Sequence, residues 1–319
     1  KMTVNGRKTS FSAGVKEELC ANISPARHCQ LAELSAIIGF CGRVDTETKM
    51  VSIQTENDGV VRKCFTLLKK AYNIGLCSGT DDPVSRAEGY GTIHRIFSDK
   101  GEEEKVLSGL KMIDETGSIC SLGEPVNGLL IKNACCRRAY LRGAFLCTGS
   151  ISDPRKGYHL EFVCDHSGQA NQIKELIHDF DIDARIIMRK KYYVVYVKEG
   201  EAIVDILNVM GAYVSLMQLE NISIEKDVRN SVNRRVNCET ANIGKTVTAS
   251  SKQIEDIERI RIHYGMENLS DNLRQMAEVR VKYPDAPLGE LGRYLNPPIG
   301  KSGVNHRLRK LGLIADSIK

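Results

Sequence analysis

Tryptophan is absent from this 319-residue chain and aromatic residues make up only 6% of it. Stacking platforms of the kind that hold single-stranded nucleic acid are therefore not expected. No window approaches the ~20 consecutive apolar residues of a membrane span, and Lys1 to Arg7 lacks the apolar stretch of a secretory signal. The expectation is a cytoplasmic protein with no membrane partner. Neither sign of charge dominates: 45 Lys and Arg stand against 40 Asp and Glu, a formal +5, which permits an anionic partner without demanding one. Cys-x-x-Cys spacing is also missing. The 11 cysteines are scattered and no histidine pair has zinc-finger spacing. They read as buried thiols of a reducing compartment rather than a zinc site, so no metal, cofactor or small-molecule substrate is expected. Apolar residues at 42% and charged residues at 27% are ordinary globular usage, and the length suits two domains or three.

What the chain does contain is a repeat. Residues 31–42 (LAELSAIIGFCG) and 140–149 (YLRGAFLCTG) are both apolar helical runs interspersed with small residues, and both end in glycine. An alternating strand pattern follows each, at 50–56 and 158–164. Next come polar caps that open helices, Asn57-Asp58 running to Tyr72 and Asp165-His166-Ser167 running to Phe180. Strand candidates follow at 90–97, and at 184–190 and 192–197; residues 76–87 make a poorer one, interrupted by Gly, Asp and Pro. Helices at 102–113 and 201–210 close the copies. The unit is α-β-β-α-β-β-α, written twice. Small residues Ala32, Ser35, Ala36 and Gly39, and Ala139, Gly143 and Cys147, give each first helix a smooth face that allows close backbone approach.

This duplicated pattern resembles the LAGLIDADG homing-endonuclease fold, in which the first helices of two halves pair beneath a saddle of two sheets. That resemblance implies an acid just before the final glycine of each motif, where Mg²⁺ would be held. Here those positions are Cys41 and Thr148. A thiol is a soft ligand and a hydroxyl carries no charge, so neither suits Mg²⁺. No catalytic residues and no nuclease activity are expected; Asp45 and Asp153, just beyond the helix ends, read as turn residues. The stretch 184–198 carries Arg185, Arg189, Lys190, Lys191 and Lys198 with no acid, which suits a strand pair against phosphates or a solvated sheet face. Arg137, Arg138 and Arg142 are open to the same two readings.

The pattern changes after Leu219. Residues 227–246 are rich in Asn and Arg, Arg234 and Asn237 among them; they read equally as a DNA contact and as a linker. A helix is expected from about Ser250 to His263, and another from Ser270 to Lys282. Residues 288–295 form a short helix after Pro287, residues 296–300 a turn, and 301–311 (KSGVNHRLRKL) a third helix with Ser302 as its cap. Short helix, tight turn and basic helix make a helix-turn-helix. Val304, Leu308 and Leu311 share one helical face; Ser302, Asn305, His306, Arg309 and Lys310 fall opposite, and Lys301 and Arg307 add charge. These side chains can reach phosphates and base edges.

The segment 10–19 (SFSAGVKEEL), the two motif helices, residues 233–242 (NRRVNCETAN) and residues 301–310 together are similar to the bacterial WhiA family over nearly the whole chain. The resemblance implies a degenerate LAGLIDADG domain joined to a helix-turn-helix domain like region 4 of sigma factors. The expected fold class is therefore α+β: a saddle domain over 10–219 (repeats about 20–115 and 130–215), a linker over 220–248 and an all-α domain over 249–319. The resemblance also implies a DNA-binding regulator linked to sporulation, or to cell division and chromosome segregation, acting on double-stranded DNA at the nucleoid. Two competing expectations are a Mg²⁺-dependent endonuclease and a scaffold that docks a sigma factor or RNA polymerase.

Overall fold

The computed structural model describes residues 3–4, 7–8, 10–45, 50–74, 92–97, 100–114, 118–119 and 122–318. It divides into two compact units, Lys1–Lys226 and Asp227–Lys319.

The first unit opens with two short paired strands, β1 (Thr3–Val4) and β2 (Arg7–Lys8). Helix α1 (Phe11–Ala21) follows, capped by Ser10, whose Oγ accepts the Ala13 N–H at 3.1 Å. The first copy is then α2 (Arg27–Cys41), β3 (Gly42–Val44), β4 (Val51–Thr55), α3 (Asp58–Tyr72), β5 (Thr92–Arg95) and α4 (Lys100–Gly109). The second is α5 (Ala134–Thr148), β6 (Gly149–Ile151), β7 (Leu160–Cys164), α6 (Ser167–His178), β8 (Arg185–Arg189), β9 (Tyr192–Val197) and α7 (Gly200–Met210). The second copy has the expected order in full, and the described elements of the first follow it but for one strand of its second pair. The strand candidate at 76–87, with Cys77, lies outside the described residues. Both sheets are antiparallel, with orders β3-β4-β5 and β6-β7-β9-β8.

Local chemistry explains the boundaries. Asn57 caps α3 by accepting the Gly59 N–H at 2.9 Å. Lys111 lies at φ 57, which fits α4 ending at Gly109 rather than running to 113. Helices α2 and α5 pack side by side in one core that both copies share. Gly143 is the contact that requires glycine: a Cβ there would sit 2.7 Å from the Glu33 carbonyl oxygen and 2.9 Å from the Ala36 Cβ.

Helix α8 spans Tyr213–His263. Its start, in the first unit, is capped by Glu18, whose carboxylate accepts the Val214 and Ser215 N–H groups at 2.8 and 2.9 Å. The segment 220–248, expected as a linker, is helical throughout. It contains no proline and only Gly244 among glycines, so nothing in it forces a break.

The second unit continues with α9 (Asp271–Lys282), α10 (Leu288–Arg293) and α11 (Lys301–Ser317), after a short 3₁₀ turn at Met266–Asn268. Its separate core gathers Ile257 and Ile260 of α8, Leu273 and Met276 of α9, Leu291 of α10, and Val304, Leu308 and Leu311 of α11. Each such side chain contributes about 1.5–3 kcal/mol on leaving water.

Candidate nucleic-acid interface

Helix α11 is held by its apolar stripe. Val304, Leu308, Leu311 and Ala315 are buried at i, i+4, i+7 and i+11, so rotation about the helix axis is fixed and the opposite face must meet water. That face carries Ser302, Asn305, His306, Arg309 and Lys310, with Lys301 at the helix start, all exposed. The helix contains one acid, Asp316, at its far end. The approach of α10 to α11 depends on Gly292: its carbonyl accepts the Ile299 N–H at 3.0 Å, and a Cβ would meet the Ile299 oxygen at 2.1 Å. Behind the turn, buried Arg280 donates to the carbonyls of Ala286 and Pro284 at 2.8 and 2.9 Å, fixing the α9–α10 corner.

Two details differ from expectation. The N-cap of α11 is Gly300, and Ser302 already lies within the first turn with its side chain outside. Arg307 is half-buried and donates to the Asn272 carbonyl at 3.4 Å, so it is engaged with α9 rather than presented with its neighbours.

Arg234 and Asn237 lie on α8, where every residue from 227 to 249 is exposed. The helical period places them on the side away from Val228, Val232 and Val236. Arg234 Nε donates to the Asn230 carbonyl of its own helix at 3.3 Å.

In the first unit, Arg189, Lys190 and Lys191 come together at the tip of the β8–β9 hairpin, all exposed. The stretch is free of acids along the chain but not in space. Strand β7 supplies Glu161, whose carboxylate pairs with Arg189 at 3.4 Å and with His159 at 3.0 Å. Arg185 pairs with Asp183 at 3.8 Å. Of the arginines at the start of α5, Arg137 pairs with Asp179 at 3.0 Å, Arg138 lies 5.5 Å over the Phe180 ring, and Arg142 is buried against Glu33. These three serve the packing of the unit.

Cys41 is buried, and the neighbouring Cys147, whose thiol burial raises well above its ordinary 9.0, donates to the Ile37 carbonyl at 3.9 Å. Thr148 Oγ1 donates to the Ala144 carbonyl at 3.1 Å. Asp153 is a turn residue, its Oδ1 accepting the Arg155 N–H at 2.9 Å. Among the described residues, the one group of three or more side chains able to hold a metal contains no carboxylate. It is His28, Cys29, Cys135 and Cys136. The missing Cys-x-x-Cys spacing hid it, because its donors arrive as two adjacent pairs 107 residues apart. That is the interval separating Gly42 from Gly149, so the repeat itself was the available signal.

Three family models match the chain: the WhiA N-terminal LAGLIDADG-like domain over 27–76, the WhiA LAGLIDADG-like domain over 137–229 and the WhiA C-terminal HTH domain over 232–315. A protein of Lachnoclostridium phytofermentans named probable cell division protein WhiA is 49% identical over 316 residues, covering 97% of this chain and 99% of that one. A protein of the same name from Alkaliphilus metalliredigens is 45% identical over 312 residues, covering 96% and 98%. Among solved structures, full-length WhiA from Thermatoga maritima aligns with a TM-score of 0.58 at 25% identity, covering 98% of this chain and 99% of that one.

Proposed function

The chain belongs to the WhiA family, and from that premise we propose that it is a non-catalytic, sequence-specific binder of double-stranded DNA. It would regulate transcription of genes for cell division, chromosome segregation or sporulation, working in the cytoplasm at the nucleoid. The observation that carries this reading is the outward face of α11. Its buried stripe leaves Ser302, Asn305, His306, Arg309 and Lys310 in water on a helix with one distant acid. Arg and Asn there can pair with base edges, and Lys301 and Lys310 with phosphates. The relatives' names supply the link to cell division. At a promoter such a regulator would meet RNA polymerase and its sigma factor. The β8–β9 tip, with Arg189, Lys190 and Lys191, and the α8 pair Arg234 and Asn237 are secondary contacts to DNA in this reading. Cys41 and Thr148, where the nuclease fold places acids, supply no oxygen anion to Mg²⁺.

Duplexes selected from genomic fragments should bind with an affinity that falls as salt rises. The logarithmic slope should be about −2 from Lys301 and Lys310 on phosphates, and steeper where the secondary contacts engage. Arg309→Ala should cost about 1–3 kcal/mol against the selected site. Unchanged affinity in the variant together with a flat salt dependence would overturn the reading, as would nicking of supercoiled plasmid in Mg²⁺.

A further inference from the structure

The repeat places two dipeptides at equivalent positions. His28 and Cys29 are the second and third residues of α2, and Cys135 and Cys136 are the second and third residues of α5. Because the two helices pack side by side, their first turns meet. His28 Nδ1 lies 3.1 Å from Cys136 Sγ, 3.3 Å from Cys29 Sγ and 3.9 Å from Cys135 Sγ. All four donor atoms fall within 4.8 Å of one another. A tetrahedral zinc ion, with Zn–S near 2.3 Å and Zn–N near 2.0–2.1 Å, holds its donors about 3.5–3.8 Å apart. Three thiols and an imidazole thus already occupy the volume of a single coordination sphere.

From this juxtaposition we propose a structural zinc site, Cys29–Cys135–Cys136 with His28 through Nδ1, one per chain. It is independent of the DNA-binding reading. The donor set is soft and contains no carboxylate, which selects a thiophilic ion over Mg²⁺ or Ca²⁺. Cys29 and Cys136 are buried while His28 and Cys135 are exposed, so the ion has a route in from solvent. The three cysteines lie in the first turns of α2 and α5, where the positive end of a helix dipole favours thiolate. On binding, each of the three thiols gives its proton to solvent and its sulfur lone pair to the ion; nothing is oxidised or reduced. Filled, the site would pin the first turns of the two motif helices to each other, and so the two halves of the first unit.

The test uses full-length protein, made without a histidine tag and purified without chelator, in thiol-reducing buffer. Elemental analysis should find about one zinc per chain, released by a mercurial thiol reagent in step with modification of three cysteines. His28→Ala and Cys135→Ala change exposed side chains and should keep the native circular dichroism while losing the zinc. Cobalt(II) added to the stripped wild type should give the intense visible bands of a tetrahedral thiolate site, absent in both variants. Zinc well below stoichiometry with no cobalt spectrum would overturn the proposal, as would zinc retained in both variants or a native disulfide among the three cysteines.

Discussion

Arg142 of α5 grips Glu33 of α2 through two hydrogen bonds, Nε to Oε1 at 2.9 Å and Nη2 to Oε2 at 3.1 Å, with both side chains withdrawn from water. A second cation, Lys63 of α3, reaches the same carboxylate at 2.6 Å and donates to the Asn22 carbonyl at 2.7 Å. Arg142 Nη1 also donates to the Met210 carbonyl at 3.1 Å. One carboxylate therefore joins α3, α2 and α5, and through Arg142 the end of α7. Burial pulls the Lys63 ammonium below its ordinary 10.5, opposed by Glu33. Removing the anion strands two buried cations, which is the costly way to break such a network. Glu33→Gln should lose about 3–5 kcal/mol, measured as a fall in the urea midpoint with an unchanged slope. A loss under about 1 kcal/mol would match a solvent-screened pair and contradict this arrangement.

Two glycines should respond to alanine with opposite signs. At Gly143 a Cβ meets the Glu33 carbonyl oxygen at 2.7 Å, and backbone cannot swing aside. Gly143→Ala should destabilise by about 1–3 kcal/mol, as overpacking does. Gly244 lies within α8 with nothing inside 4 Å of its Cβ position. Gly244→Ala should stabilise by about 0.5–1 kcal/mol through helix propensity alone. Thermal melts of the two variants beside the wild type decide the matter; a shared sign would refute one of the two placements.

The repeat was legible because apolar periodicity and the closing glycines Gly42 and Gly149 survive in both copies, and the orientation of α11 because Val304, Leu308 and Leu311 keep strict helical spacing. Other features depend on partners distant in sequence. Arg142 looks like a surface cation until Glu33, 109 residues away, is brought against it. The acid-free stretch of β8 and β9 acquires Glu161 only through strand pairing, Glu161 opposite Tyr196 and Tyr196 opposite Arg185. The middle of α8 reads as linker because Asn, Ser and Thr are weak helix formers. It is nonetheless helical, since no proline interrupts it.

Under the proposed function, a fall in DNA affinity would have two separable causes in the second unit. Arg280 is 2% exposed and ties the carbonyls of Pro284 and Ala286. Arg280→Met leaves the Ala286 carbonyl without its donor and the Pro284 carbonyl with Ser250 Oγ alone, and should cost about 1–3 kcal/mol, lowering the melting temperature and DNA affinity together. Arg309 is exposed, and Arg309→Ala should lower affinity while the melt stays within about 0.5 kcal/mol of wild type. Equal destabilisation by both variants would place Arg309 in the fold rather than on the binding face.

Alkaline pH should loosen the first unit through its buried thiols. Cys164 is fully buried at the end of β7, and burial, aided by Asp165, pushes its thiol from the ordinary 9.0 up to about 12. Cys64 and Tyr140 are raised in the same direction by burial. Between pH 9 and 12 the unfolded chain releases the Cys164 proton and the folded chain keeps it, so the native state binds more protons and stability falls as pH rises. This contribution is fully present below pH 9 and is lost at about 1.4 kcal/mol per pH unit above it. Urea midpoints taken from pH 7 to 10.5 should hold level and then decline. Cys164→Ala, though less stable at neutral pH, should decline less steeply. An identical alkaline slope in that variant would mean that Cys164 titrates alike in both states and is not enclosed in the core.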